Sequence, residues 1–194
     1  SLIGSGPRAA GLPAGVGLPD DLFAHDGRIT KSPIRALALS ARAPGRGEVL
    51  WDLGAGSGSI SVEWCLSGGR ACAVERDPER CARIHANAAR FGVVHRLSVL
   101  QADTNSTLPQ TLPSAVFIGG GANEALLARV WEQVPAGTRF VINAVTLETE
   151  TLLATWHARA GGSLLRIELA HSQPLGRMRG WSPSRPVVQW SVIR

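Results

Sequence analysis

"VLWDLGAGSGSISVEW", residues 49–64, is the stretch on which the fold turns. An apolar segment of strand character runs into Asp52-Leu53-Gly54-Ala55-Gly56-Ser57-Gly58 and then into a segment of helical character. Glycines at such a turn let the backbone approach a ligand closely. The spacing argues against two common occupants. Dinucleotide sites use G-x-G-x-x-G, with the pyrophosphate on the following helix N-terminus. Here the pattern is G-x-G-x-G, and Ser59 stands at the third dinucleotide position. The phosphate-loop pattern fails as well, since the chain has no Gly-Lys-Ser/Thr. Asp52, at the strand end, would repel a phosphate. Glu75 ends the next apolar segment, where an acid can accept both ribose hydroxyls. Together these residues fit a nucleoside with a cationic ammonium or sulfonium and no phosphate. The physical candidate is S-adenosylmethionine.

Outward from this stretch, apolar and helical segments alternate. Strands are predicted at 48–53, 71–75, 97–102, 114–118 and 139–145, with the intervening segments as helices. Asp77-Pro78 and Asn123 start two of these helices, over 77–92 and 123–137, and a third covers 147–162. A further helix precedes the first strand at 32–43, with Ser32 as its cap and Pro33 at its first position. Two last strands, 163–171 and 186–194, have no helix between them and should pair antiparallel at one edge. The expected class is α/β: a doubly wound, seven-stranded, mostly parallel sheet with an antiparallel terminal hairpin. In such sheets the ligand sits beyond the carboxyl ends of the strands at the switch point. The first 20 residues are rich in Gly and Pro and read as a linker or arm, which leaves 21–194 as one domain.

Composition narrows the partners. Twenty basic residues face fifteen acids, and all but Lys31 of the basic residues are arginine. A net charge of +5 favours an anionic partner, nucleic acid or polycarboxylate. Arginine suits both, since its planar fork pairs two oxygens at once. Three cysteines without C-x-x-C spacing argue against a disulfide framework or a zinc site, and the histidines lack metal-ligand spacing. No apolar run is long enough to span a bilayer and no signal-peptide pattern is seen, so a cytoplasmic protein is expected. The chain starts at Ser1 and its one methionine is Met178, so a piece of something longer is expected.

"DLGAGSGS" followed by "AVERDPE" resembles class I S-adenosylmethionine-dependent methyltransferases. The resemblance implies that Gly54, Ala55, Gly56, Ser57 and Gly58 carry the methionine and ribose portion, with Asp52 beside the cationic group and Glu75 on the ribose. It implies that Asp103 and Thr104, in "QADT", stand beside the adenine. "LPDDLF", "ITKSPIRAL", "FIGGG", "VINAVTLET" and "RPVVQW" are together similar to the cobalamin-pathway precorrin methyltransferases. That family methylates carbon 15 of a tetrapyrrole and decarboxylates an acetate side chain. In some bacteria it is the C-terminal half of a fused protein whose N-terminal half methylates carbon 5. The resemblance implies that Thr30 contacts the cofactor, and it implies a homo-oligomer, a tetramer.

A precorrin is a flat ring carrying many carboxylates. Gly119, Gly120 and Gly121 would leave room for it over the methyl group, and Lys31 could face it or the methionine carboxylate. Arg177, Arg179 and Arg185 lie between the last two strands and suit its carboxylates. Candidates for a proton are Glu148 and His171; Glu148 also reads as a first-turn helix acid. Two other readings stay open. A tRNA or other nucleic-acid methyltransferase agrees with the basic charge, but few aromatics are present for base stacking and lysine is scarce. A non-catalytic cofactor-fold subunit is opposed by the intact glycines and Glu75.

Overall fold

In the computed structural model, residues 16–41 and 44–194 are described. Strands β1 (Val49–Leu53), β2 (Arg70–Glu75), β3 (Leu97–Gln101), β4 (Ala115–Ile118) and β5 (Arg139–Ala144) pair in parallel. Strands β6 (Ser163–Ile167) and β9 (Val187–Ile193) complete the sheet, in the order β3-β2-β1-β4-β5-β9-β6. The C-terminal strand β9 inserts between β5 and β6 and is antiparallel to both. The expected seven-stranded class is thus the observed one. β1 and β4 are adjacent, and from them the chain winds in opposite directions, so the crevice lies beyond their carboxyl ends.

Each face of the sheet carries its own core. Helices α1 (Ser32–Ser40), α2 (Ser59–Leu66) and α3 (Pro78–Arg90) lie over Leu50, Ala71, Ala73 and Phe117. Helices α4 (Glu124–Gln133) and α5 (Leu147–Ala160) lie over Trp51, Val116, Phe140 and Trp190. Alternate residues of one strand thus serve opposite cores, which is why the strands read as continuous apolar runs. Caps behave as their sequences indicate for α3 and α4. Asp77 accepts from Glu79 N at 2.9 Å, and Asn123 from Leu126 N at 2.9 Å.

Three expectations are corrected. Ser32 does not cap α1: its hydroxyl donates to Gly17 O at 2.5 Å, and Asp20 accepts its backbone N–H at 2.9 Å. The helix borrows its cap from a preceding segment. That helix ends at Ser40, and residues 42 and 43 lie outside those described, as do residues 1–15 of the expected arm. No helix joins β3 to β4: Asp103 closes a turn on Asn105 N at 2.8 Å, and Pro109 and Pro113 keep the rest extended. Finally, the connection after β6 is not a loop. It forms a two-stranded ribbon of β7 (Ala170–Leu175) and β8 (Met178–Pro183), turned at Gly176 with φ +60°.

Candidate functional site

The glycine turn is held open from below. Gly54 N and Ala55 N donate to Val74 O at 2.9 and 3.0 Å, which folds the turn back onto the end of β2. Gly56 N donates to Glu75 Oε2 at 2.9 Å, and Asp77 N to Glu75 Oε1 at 3.0 Å. Glu75 is thereby fixed as a buried acceptor beside the turn, and each oxygen keeps a lone pair for a hydroxyl donor. Across the crevice, a Cβ on Gly54 would stand 3.6 Å from Gly120 O, so the turns after β1 and β4 face one another. A Cβ on Gly120 or Gly121 would meet nothing within 4 Å. The space the notched turns leave, with an acid acceptor on one wall, fits the polar nucleoside half of S-adenosylmethionine. The Ser57 hydroxyl is buried without a hydrogen-bond partner among the described residues.

Other expected residues fall into place unequally. Thr30 reaches the crevice: its Oγ1 would lie 3.7 Å from a Cβ on Gly119. Asp52 does not present itself to a ligand. It is 1 % exposed and accepts from Ser61 Oγ at 2.6 Å, so its carboxylate joins β1 to the first turn of α2. Asp103 holds its local turn, and the Asn105 N–H groups draw its carboxyl below the usual range. Thr104 offers its carbonyl to Arg129, whose other nitrogen reaches Asn105 O at 2.6 Å, fastening this loop to α4.

Lys31, His171 and Arg185 converge. They line one cavity of about 570 Å³ at the carboxyl edge of the sheet, with Asp20, Ser32 and Ile167. Lys31 follows Thr30 directly, so this cavity adjoins the crevice. Arg177 and Arg179 are not with Arg185. They sit at the far end of the ribbon, roughly 17 Å from its base at five residue steps. The expectation of one arginine-bearing loop fails because the segment pairs into strands. Glu148 is exposed in the first turn of α5, as a helix acid. A larger cavity of about 600 Å³, lined by Arg70, Cys72, Ser98 and Leu108, opens where the helix between β3 and β4 is missing. None of the expected site residues lines it.

Sequence reasoning missed the segment that walls the crevice. Residues 17–31 cross over the glycine turn, where Arg28 O lies 3.2 Å from a Cβ placed on Gly56. Leu18 and Phe23 are buried, and Phe23 stacks on Phe91 at 4.9 Å. Buried Asn87 of α3 links this segment to the turn: it accepts from Ala24 N and donates to both Ala24 O and Ser57 O, at 2.8, 3.0 and 2.8 Å. Asp26 binds Arg80 at 3.0 Å and Arg83 at 3.1 Å. A visible sign was the polar Asn87 on the inner face of an amphipathic helix.

The Arg80 side chain, with the Arg28 N–H, holds the Asp26 carboxyl down at about 2. A depressed acid stabilises the fold above its unfolded pKa, and the gain is lost as pH falls through the folded value. The window is therefore from about 4 down to about 2. Melting curves of Asp26→Asn against the unmodified chain should differ by a constant margin above pH 5. The margin should shrink below pH 4. Burial pushes the Cys65 thiol up to about 12, and it raises Cys72 and Cys81 too, so all three are poor nucleophiles.

Comparison with known proteins agrees with this geometry. Residues 21–194 match the model of the precorrin methyltransferase domain. A Sinorhizobium protein named precorrin-6Y C(5,15)-methyltransferase [decarboxylating] is 49% identical over 186 residues, 93% of this chain but 44% of that protein. The chain thus spans about half the length of such relatives. A Pyrobaculum aerophilum protein named a probable cobalt-precorrin-6B C(15)-methyltransferase (decarboxylating) is 36% identical, covering 88% of this chain and 92% of that one. The crystal structure of the C-terminal domain of precorrin-6Y C5,15-methyltransferase from Rhodobacter capsulatus superposes with a TM-score of 0.89 at 56% identity. It covers 94% of this chain and 100% of that domain. With the class I methyltransferase sheet, the notched turn and Glu75 in place, the chain belongs to the precorrin methyltransferase family.

Proposed function

We propose that the chain methylates carbon 15 of a precorrin and decarboxylates an acetate side chain of the same ring, in cobalamin biosynthesis. The carrying observation is the junction of two sites at Thr30 and Lys31. One is the Glu75 crevice, the other the cavity of Lys31, His171 and Arg185. S-adenosylmethionine, when bound, supplies an electrophilic methyl group on a sulfonium. The chain's residues then position and shield. Glu75 holds the ribose through its two free lone pairs, and the turn at Gly54–Gly58 admits the rest of the cofactor. Thr30 closes the crevice from above. Gly119–Gly121 leave the opposite wall without side chains, so a flat ring can lie there.

Lys31 and Arg185 bind ring carboxylates from the adjoining cavity. The ring's electron-rich carbon needs no strong protein base. Loss of carbon dioxide leaves an electron pair that the conjugated ring takes up, and a proton follows. His171 lines the cavity, so it is the better placed of the two proton candidates. Glu148 serves the dipole of α5 instead.

The remaining partners follow from the same reading. A second methyltransferase domain precedes this one in the whole protein, as the share of the relatives covered suggests. Self-association uses the ribbon, which exposes Leu175, Met178 and Trp181. Among the described residues no helix is long and apolar enough to cross a membrane, and we place the enzyme in the cytoplasm. Arg185→Ala and Lys31→Ala are each expected to raise KM for the precorrin roughly tenfold, one charged hydrogen bond's worth. KM for S-adenosylmethionine should hold in Arg185→Ala. Steady-state kinetics with unchanged precorrin KM in both variants would remove the cavity from the site.

A further inference from the structure

The segment over the glycine turn is clamped by one buried guanidinium. Arg35, on α1, is fully buried, and every nitrogen of its fork is engaged. Nε donates to Glu63 Oε1 at 2.5 Å. Nη1 reaches Asp20 Oδ1 at 3.3 Å and donates to Thr30 O, while Nη2 donates to Leu18 O. The guanidinium carbon also stands 4.8 Å from the centre of the Phe23 ring. Glu63 answers from α2. It is 2 % exposed, and its oxygens accept Gly17 N at 2.6 Å and Leu18 N at 2.9 Å. Asp20 then spreads the grip. It accepts the Ser32 N–H and lies 3.6 Å from the Lys31 ammonium.

A buried ion pair is a poor source of net stability, because desolvation offsets much of the attraction. A large apolar pair would fill the same volume at no such cost. What the pair does supply is geometry. Five groups of one segment, at residues 17, 18, 20, 23 and 30, converge on Arg35 and Glu63. The last of these is the carbonyl of Thr30, whose side chain faces Gly119 and whose neighbour Lys31 enters the basic cavity. Helix α2, which carries Glu63, begins at the glycine turn itself. The clamp therefore references the roof of the crevice to the same helix that forms its floor.

We propose that Arg35 is a positioning residue for the reaction: through Glu63 and Asp20 it fixes segment 17–31 as a preformed roof, setting Thr30 over the cofactor and Lys31 at the substrate cavity. This rests on the cofactor reading above. A preformed roof spares the ordering that a loose segment would undergo on binding, so affinity is the quantity it governs.

The test is binding of S-adenosylhomocysteine, followed by calorimetry well below each variant's melting temperature. Arg35→Lys keeps a positive charge but cannot serve Glu63, Thr30 O and Leu18 O at once. Its Kd is expected to rise roughly tenfold or more. Amide exchange should quicken across 17–31 while β5 keeps its protection. Asp20→Asn leaves the Arg35–Glu63 pair intact and guards against a failure of Arg35→Lys to fold. It is expected to raise Kd roughly threefold to tenfold. Leu153→Ala, in the opposite core, should lower the melting temperature and leave Kd alone. Folded Arg35→Lys with unchanged Kd and unchanged exchange overturns the proposal. So does an unchanged Asp20→Asn where Arg35→Lys does not fold. Absence of binding by the unmodified chain would instead bring down the cofactor reading, and the roof with it.

Discussion

Glu75→Gln is expected to weaken S-adenosylhomocysteine binding about 100-fold with little change in fold. The carboxylate is buried and already takes one backbone N–H on each oxygen, from Gly56 and Asp77. An amide of the same shape can satisfy one of these. Its NH2 must then face the other N–H, and a buried donor without a partner costs about 1–3 kcal/mol. A ribose hydroxyl also loses an ionised acceptor, worth about 1.5–3 kcal/mol. Part of the first cost falls on the free protein, so roughly 3 kcal/mol of binding energy is at stake. Titration calorimetry measures it directly. A Kd shifted less than threefold would mean that Glu75 merely shapes the turn.

Gly58→Val carries the largest expected effect on stability, about 2–4 kcal/mol. Gly58 holds φ +73° at the start of α2, a conformation that β-branched residues avoid. Space is lacking as well. A Cβ there would stand 2.9 Å from Cγ2 of Ile84, a fully buried side chain of α3. For a chain of this size, the loss corresponds to a fall in melting temperature of roughly 4–16 °C. Gly56 should fail differently. Its Cβ would press only on Arg28 O, at 3.2 Å, so Gly56→Ala should disturb the roof and the affinity more than the melting temperature. Equal melting temperatures for Gly58→Val and the unmodified chain would refute the packing account of this turn.

The legible parts of the molecule were those with a local physical signature. The strand, turn and helix over 49–66 carried theirs in a few consecutive residues, as did Asp77 and Asn123 at their helix starts. The ribbon was not legible. Its strands hold Pro174, Gly180 and Pro183, and neither has a buried face to impose alternation. The loop over 103–113 was taken for a helix from the rhythm of its neighbours, although its two prolines argue otherwise. Asp52 looked like a ligand acid because it ends a strand beside the turn; its partner, Ser61, is visible only in three dimensions. The clamp of Arg35 and Glu63 is separated by 28 residues, and no motif announces it. Its one trace is a charge set in each of two apolar segments, "SPIRALALS" and "SISVEWCL".

The central claim is that this chain joins methyl transfer and decarboxylation on a precorrin. Incubation with a precorrin intermediate and methyl-labelled S-adenosylmethionine, followed by mass spectrometry, tests it most directly. The expected product has gained one labelled methyl group and lost one carbon dioxide. A precorrin recovered unchanged, beside a control enzyme that turns it over, would contradict the account.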